Sequence, residues 1–236
     1  MTSAQDRLAA ARYAAAEGRH EFALAEYVWF HDHALEETPS LYGVRLSFAL
    51  RDWKELAEVY PPAREALLAI RNQKTRALLS GEGDQALFHD VAAINRQFDA
   101  HADTTSVFRQ LDTQYPALAK ECAPIARESL ASAGDYELAA KYLPPEPLKH
   151  VRQLAERLNA DVAEIPQRPR SKSPRYLVHT HCYANEVRTI EEILAGSGQQ
   201  ALAQAFRATA IENLRTWYVR RAVTNILDNR ESHPHG

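Results

Sequence analysis

The chain has 236 residues and a formal net charge of -3, and hydrophobic residues make up 45% of it. That apolar content is enough to bury a core, which excludes a mainly disordered chain. Glycine occurs only 8 times, whereas alanine, leucine, glutamate, arginine and glutamine are plentiful. Such a composition favours helices over a β-sandwich or a doubly wound sheet. No long apolar run and no secretory signal are recognisable, so we expect a cytoplasmic protein with no membrane contact, in which Cys122 and Cys182 are free thiols.

Charge is distributed unevenly along the chain. Residues 1–60 carry 6 Lys and Arg against 10 Asp and Glu, residues 61–148 carry 9 against 12, and residues 149–236 carry 13 against 9. This positive excess in the last third is smaller than that of a dedicated nucleic-acid binder. We therefore do not expect nucleic acid to be the main partner.

Helical periodicity and frequent helix punctuation predict a succession of short helices. Before residue 160 they are expected at residues 4–17, 19–37, 39–50, 52–60, 62–80, 84–101, 104–114, 116–133, 135–142 and 146–159. Two more are expected later, from Thr180 to Ala195 and from beyond Gly198 to about Asn229.

Residues 160–175 (ADVAEIPQRPRSKSPR) interrupt this pattern. They contain three prolines and the four positive charges of Arg168, Arg170, Lys172 and Arg175. Such a composition is typical of a connector. The sequence therefore predicts a helical-repeat domain over residues 1–159 and a C-terminal helical hairpin over residues 176–229, packed on the same array of helices.

Three stretches repeat a similar order of small and aromatic residues. EGRHEFALAEY contains Gly18, His20, Ala23 and Tyr27, and SAGDYELAAKY contains Gly134, Tyr136, Ala139 and Tyr142. LRDWKELAEVY offers Trp53, Leu56 and Tyr60, but it has Arg51 where glycine is expected. These turns resemble the tetratricopeptide-like helical repeats over residues 4–145, and the run from Tyr27 to Ala63 is similar to a group of bacterial tetratricopeptide-like proteins.

The resemblance implies an all-α solenoid of stacked antiparallel helical hairpins, with about 12 helices here. It also implies a scaffold or adaptor whose concave surface binds a protein or peptide. Trp29, His33, Tyr42 and Arg45 are the predicted contact residues, because aromatic side chains supply contact area and arginine a directional charge. No phosphate loop, nucleophile elbow or catalytic triad is recognisable, so we expect neither an enzyme nor a cofactor.

The HDH motif at residues 31–33 could indicate a metal site. On a helix, however, residues two apart point roughly 200° from each other, so His31 and His33 would not hold one ion. Helical spacing puts His31 inside the apolar sector, where a neutral imidazole with one hydrogen-bonding partner is the usual occupant. His33 falls on the edge of that sector, where it could line a groove.

A second His-x-His pair, His179 and His181, precedes or begins a predicted helix. Extended backbone would put both side chains on one side, with Cys182 and Glu186 nearby. A metal-dependent hydrolase at this position is therefore an alternative function. The competing interpretation is a polar helix start capped by Thr180, with no metal.

Arg45 lies on an otherwise apolar helix face, and a buried arginine must be paired. The structural interpretation gives it Asp52, Glu26 or Asp32 as its partner. In the functional interpretation, Arg45 lies in a groove and binds an anion, for example the carboxylate of a peptide C-terminus.

The segment LRTWYVRRAV combines Arg215, Arg220 and Arg221 with Trp217 and Tyr218. Arginines among stacking aromatics can bind single-stranded nucleic acid. A nucleic-acid-associated adaptor that uses Arg220, Arg221 and the basic connector is thus a further alternative. A helical stripe of Leu214, Tyr218, Ala222 and Ile226 favours instead a core position for Tyr218, with the arginines on its solvated flank.

Overall fold

The computed structural model describes residues 3–165 and 176–228, and within them every regular element is a helix. The prediction of an all-α protein is confirmed. The chain forms two compact units, an N-terminal unit of residues 1–129 and a C-terminal unit of residues 130–236. In the described residues no helix combines the length and the apolar character needed to span a bilayer.

The N-terminal unit is built from eight helices, of which the last reaches into the boundary between the units. They are α1 (Ala4–Ala16), α2 (His20–Glu37), α3 (Tyr42–Leu46), α4 (Phe48–Val59), α5 (Pro61–Leu79), α6 (Gln85–Gln97), α7 (His101–Gln114) and α8 (Pro116–Ser132), with a 3-10 turn at Pro39–Leu41. Helices α1 and α2 pack together, α4 packs on α2 and α5, and α6 packs on α5 and α7.

Small and aromatic residues build the core of this unit. Ala11, Ala14 and Ala23 are fully buried, which lets α1 and α2 approach closely. Trp53 stacks on Tyr27 with ring centroids 6.2 Å apart, and its indole nitrogen donates to the carbonyl of Ala63 at 3.0 Å. This hydrogen bond satisfies the polar atom of the largest buried side chain.

Two of the three predicted repeat turns are present. Gly18 and Gly134 have φ angles of +76° and +70°. Helices commonly end at a residue in this left-handed conformation, which glycine adopts most easily. The third predicted turn, at Arg51, is wrong, because residues 50–59 of LRDWKELAEVY belong to the continuous helix α4. The break instead falls at Ser47, whose hydroxyl donates to the carbonyl of Gly43 at 2.6 Å.

The C-terminal unit contains α9 (Tyr136–Lys141), α10 (Pro147–Glu164), α11 (Tyr176–Gly196), α12 (Gln200–Glu212) and α13 (Trp217–Asp228). Helix α11 packs against all four others, and its buried face meets Val151 and Leu158 of α10 and Phe206 of α12. Helix α10 shares this core, and the two units divide between residues 129 and 130.

Three further boundaries differ from the predicted ones. Helix α10 continues to Glu164, into the predicted connector, because Val162 packs in the core. Helix α11 already begins at Tyr176. The predicted last helix is two helices, separated at residues 213–216. In the second of them, α13, the buried residues are Val219, Val223 and Leu227. Of the predicted stripe only Leu214 is buried, whereas Tyr218, Ala222 and Ile226 are half-buried.

Candidate functional site

The four predicted contact residues lie in two different places. Trp29 and His33 are on the outer side of α2, whereas Tyr42 and Arg45 are on α3 and bond to residues of α6. The structure therefore does not bring the four together as one surface.

Arg45 is part of a buried ion cluster formed by His31, Arg45, Lys74 and Asp90. One guanidinium nitrogen, Nη2, lies 2.5 Å from Oδ1 of Asp90, and the other, Nη1, lies 3.3 Å from Oδ2. Lys74 Nζ donates to Oδ2 of the same carboxylate. Arg45 and Asp90 are buried, while the Lys74 side chain is 20% exposed. The cluster thus links α2, α3, α5 and α6.

His31 occupies the cluster as a neutral side chain. It is buried, and its Nε2 lies 3.2 Å from Lys74 Nζ and 3.3 Å from Arg45 Nη1. Burial, together with the charges of Lys74 and Arg45, lowers the pKa of His31 to about 3. The imidazole can therefore accept a hydrogen bond from one of the two cations, and the prediction of a core histidine is confirmed.

The carboxylate of Asp90 faces both cations. Burial by itself would raise its pKa, but hydrogen bonds and charges from Arg45 and Lys74 outweigh burial and leave the pKa below the usual value. With Asp90 ionised and His31 neutral, the cluster holds two positive charges and one negative charge. The Arg45 Nε atom is buried and has no hydrogen-bonding partner.

The structural interpretation of Arg45 is correct in kind, but none of the three predicted partners is the right one. Asp52 pairs with Arg12 and Arg51 instead, Glu26 pairs with Arg7, and Asp32 is exposed. Asp90, Lys74 and His89 were missed by sequence reasoning. The available signal was an acid at residue 90 within an otherwise apolar stretch of α6, in which residues 91–94 are all buried apolar residues.

Tyr42 and His89 form a hydrogen-bonded pair beside the cluster. The tyrosine hydroxyl lies 2.9 Å from Nδ1 of His89, and both side chains are half-buried. Burial raises the pKa of Tyr42 and lowers that of His89. Tyr42 thus connects α3 to α6 next to the Arg45–Asp90 contact, and the two predicted residues on α3 serve the same interface.

Trp29 and His33 belong to a different feature, which we call the aromatic edge and define as Tyr13 of α1 with Phe22, Trp29 and His33 of α2. Tyr13 and Phe22 are 62% and 46% exposed. The guanidinium of Arg19 lies 5.8 Å from the ring of Tyr13 and 5.4 Å from that of Phe22.

The other end of the aromatic edge is built in the same way. The guanidinium of Arg7 lies 4.0 Å from the ring centroid of Trp29. The ring centroids of Trp29 and His33 are 5.4 Å apart. Because residues 22, 29 and 33 follow helical spacing, they share one side of α2. Arg7 and Arg19 are also paired with Glu26 and Glu17. The edge thus combines the exposed rings of Tyr13, Phe22 and His33 and the half-buried ring of Trp29 with neutralised charge.

The segment LRTWYVRRAV divides between core and surface. Tyr218 is half-buried and contacts Tyr176, with ring centroids 5.0 Å apart. Trp217, Arg215, Arg220 and Arg221 are exposed. Arg168, Arg170, Lys172 and Arg175, the other predicted nucleic-acid contacts, lie outside the described residues.

The second His-x-His pair lies within helix α11 rather than in extended backbone. His179 and His181 therefore point away from each other, and His179 Nδ1 lies 3.5 Å from Asp161 Oδ2. Across residues 3–165 and 176–228, no three His, Cys, Asp or Glu side chains form a group that could hold a metal ion. The geometry on which the hydrolase hypothesis depended is absent from this helix.

The C-terminal unit also carries an open depression of about 490 Å³, lined by Glu146, Pro147, Leu148, Lys149, Arg152 and Leu202. Its charged residues include the exposed pair of Glu146 and Lys149, 3.1 Å apart. The two cysteines are free, as expected. Cys122 is buried, which raises the pKa of its thiol to about 12, whereas Cys182 is exposed.

No protein-family model matches the chain, and neither does any curated protein or solved structure. The tetratricopeptide-like resemblance therefore remains a prediction based on the turns at Gly18 and Gly134.

Proposed function

We propose that the chain is a non-enzymatic, tetratricopeptide-like helical-repeat protein whose N-terminal unit binds a protein or peptide segment. In this proposal the hairpins of α1 with α2 and of α5 with α6 are stacked repeat units, and the contact surface is the aromatic edge. The observation that carries the proposal is the exposure of Tyr13 and Phe22, whose ring centroids lie 5.8 Å and 5.4 Å from the guanidinium of Arg19.

Exposed aromatic rings favour a protein partner for a physical reason. Rings supply a large contact area and lose little conformational entropy on binding, and tyrosine, tryptophan and arginine dominate the energetics of interfaces. At the aromatic edge, the arginines already have carboxylate partners, since Arg7 pairs with Glu26 and Arg19 with Glu17. Apolar contact rather than net charge is therefore the main source of affinity.

The buried ion cluster supports this surface from inside. Arg45, Lys74 and Asp90 hold α3, α5 and α6 together, and His31 adds α2, whose opposite side carries Phe22 and His33. A partner thus meets a helix whose position is already fixed, which reduces the ordering cost of binding.

The test is selection of peptides from a displayed random library against the purified full chain. The affinity of each selected peptide is then measured by fluorescence anisotropy. The double variant Tyr13→Ala with Phe22→Ala should weaken binding at least about tenfold, because both rings lose their contact area.

Val59→Ala is the matched control, since Val59 is an equally exposed apolar residue on α4. It should bind the selected peptides as the unmodified chain does, and the thermal unfolding of all variants should be similar. A library that yields no enriched peptide, or peptides that bind the double variant as tightly as the unmodified chain, would refute the proposal.

A further inference from the structure

The start of α13 forms a second exposed surface, separate from the aromatic edge. We define the α13 surface as Arg215, Trp217, Arg220 and Arg221. Trp217 is 72% exposed, and the planes of its indole and of the Tyr218 ring are at 87°, with 6.1 Å between centroids. At that exposure most of the indole surface is free for a partner.

The arginines of this surface form no ion pair with a carboxylate of the described residues. Arg215 and Arg221 are exposed, and neither side chain forms an ion pair or hydrogen bond with a described residue. Arg220 donates from Nη2 to the carbonyl of Leu214 at 2.7 Å, which fixes its position without neutralising its charge. Asp228, the acid of α13, is paired with Arg207 at 2.5 Å.

Helical spacing brings Trp217, Arg220 and Arg221 to one side of α13, and Arg215 lies in the turn just before this helix. Arg221 follows Trp217 by one helical turn, and Arg220 lies about 60° to the other side of the indole. The side chain of Asn159 on α10 holds the preceding turn, since it donates to the carbonyl of Asn213 at 2.9 Å and accepts from the amide of Arg215 at 3.0 Å. The turn that carries Arg215 is thus held in place before any partner arrives.

We infer that the α13 surface binds single-stranded nucleic acid, with a base stacked on Trp217 and phosphates bound by Arg215 and Arg221. Single strands offer unstacked bases together with a regular series of negative charges. An exposed indole, with arginines close to it in the chain that pair with no described carboxylate, matches both features. An acidic peptide would match the arginines alone and would leave the indole faces without a flat partner.

The test uses the purified full chain and a fluorescein-labelled single-stranded oligonucleotide of about 12 nucleotides, a length within the usual site size. Anisotropy should show binding that weakens strongly between about 50 and 200 mM salt, because phosphate contacts release counterions. The double variant Arg215→Glu with Arg221→Glu, and separately Trp217→Ala, should each weaken binding at least about tenfold.

The matched control is Arg76→Glu with Lys120→Glu, which changes the net charge equally at exposed positions of the N-terminal unit. It should leave binding within about twofold of the unmodified chain. An equal loss in this control would show unspecific attraction and overturn the inference, as would unchanged binding by Trp217→Ala. Tighter binding of a glutamate-rich peptide than of the oligonucleotide would also overturn it. None of these outcomes depends on the aromatic edge, so this inference and the proposed function can fail separately.

Discussion

The two units use arginine in opposite ways. In the N-terminal unit, Arg45 lies inside the protein and shares the carboxylate of Asp90 with Lys74. In the C-terminal unit, Arg215 and Arg221 lie on the surface without an ion pair to any described residue. A buried charge destabilises the fold strongly unless it is paired, whereas an exposed one remains hydrated at little cost. The first arrangement therefore concerns folding, and the second leaves its charges available for a partner.

The two units also differ in the charge that surrounds their surface aromatic rings. At the aromatic edge, Arg7 and Arg19 lie over Trp29 and Phe22 while remaining paired with glutamates. At the α13 surface, Trp217 has arginines as neighbours in the chain, and no acid within residues 3–165 and 176–228 forms an ion pair with them. The same two residue types thus form a near-neutral contact surface in one unit and a positively charged one in the other.

The largest expected effect comes from removing the shared carboxylate. Asp90→Ala leaves Arg45 buried without a counter-charge, so the free energy of unfolding of the N-terminal unit should fall by about 3–5 kcal/mol. Urea unfolding measures the loss. Hydrogen exchange should locate it in α3 and α6 and leave the amides of α11 as protected as before.

The apolar replacement of both partners is the control for this prediction. Asp90→Leu combined with Arg45→Met removes the charge together with its counter-charge, and it should recover most of the lost stability. A loss below about 1 kcal/mol in Asp90→Ala would mean that water reaches the cluster, and the contrast between a buried and an exposed arginine would fail.

The next effect is a pH dependence that belongs to the N-terminal unit. The pKa of His31 is about 3 in the folded protein and near 6.5 in the unfolded chain, so the unfolded state binds more protons between these values. The contribution of neutral His31 to the free energy of unfolding is complete above pH 6.5 and decreases as the pH falls towards 3. Lowering the pH from 7 to 5 should therefore reduce the free energy of unfolding by roughly 2 kcal/mol.

Urea unfolding at both pH values, compared with His31→Gln, isolates this contribution from those of His89 and other histidines. Glutamine can still accept a hydrogen bond from Lys74 or Arg45, but it does not titrate. Stability that falls equally in both proteins would show that the imidazole is not held neutral by its surroundings.

A third effect should appear in the C-terminal unit alone. A Cβ atom at Gly196 would lie 2.3 Å from ring atoms of Tyr136, so Gly196→Ala must displace the ring and should cost about 1–3 kcal/mol. Gly43→Ala in α3, where the added carbon meets nothing within 4 Å, should be neutral or stabilising by up to about 1 kcal/mol. Tyr136→Ala in the Gly196→Ala background should add little further loss, because the two residues share one contact.

Much of the fold follows from local sequence signals, and the exceptions have a common cause. The turns at Gly18 and Gly134 could be predicted because only glycine adopts their backbone conformation easily. The break at Ser47 and the one at residues 213–216 contain neither glycine nor proline. The second is held by Asn159, more than fifty positions away in the sequence, and such a partner cannot be inferred from local spacing.

The same limit applies to the candidate sites. Arg45 and His31 could be recognised as polar residues on apolar helix faces, and both are indeed buried. Their partner Asp90 lies on α6, three helices after that of Arg45, and the sequence contains nearer acids as candidates. The packing of the helices decides which acid contacts a buried arginine. By contrast, helical periodicity alone predicts that Trp29 and His33 share one side of α2.

The smallest expected effect is the difference in stability between two variants, one that removes a paired surface arginine and one that removes an unpaired one. Arg12 Nε lies 2.6 Å from Asp52 Oδ2, and Arg51 also reaches Asp52, at 3.2 Å. Arg12→Ala should therefore cost at most about 1 kcal/mol, and less at high salt, since Asp52 keeps a partner and the pair is partly solvated. Arg221→Ala should change stability by no more than about 0.5 kcal/mol in either direction. Urea unfolding of the two variants at low and high salt gives the comparison. If Arg221→Ala costs as much as Arg12→Ala, Arg221 contributes to the fold itself, and its charge is not free for a phosphate.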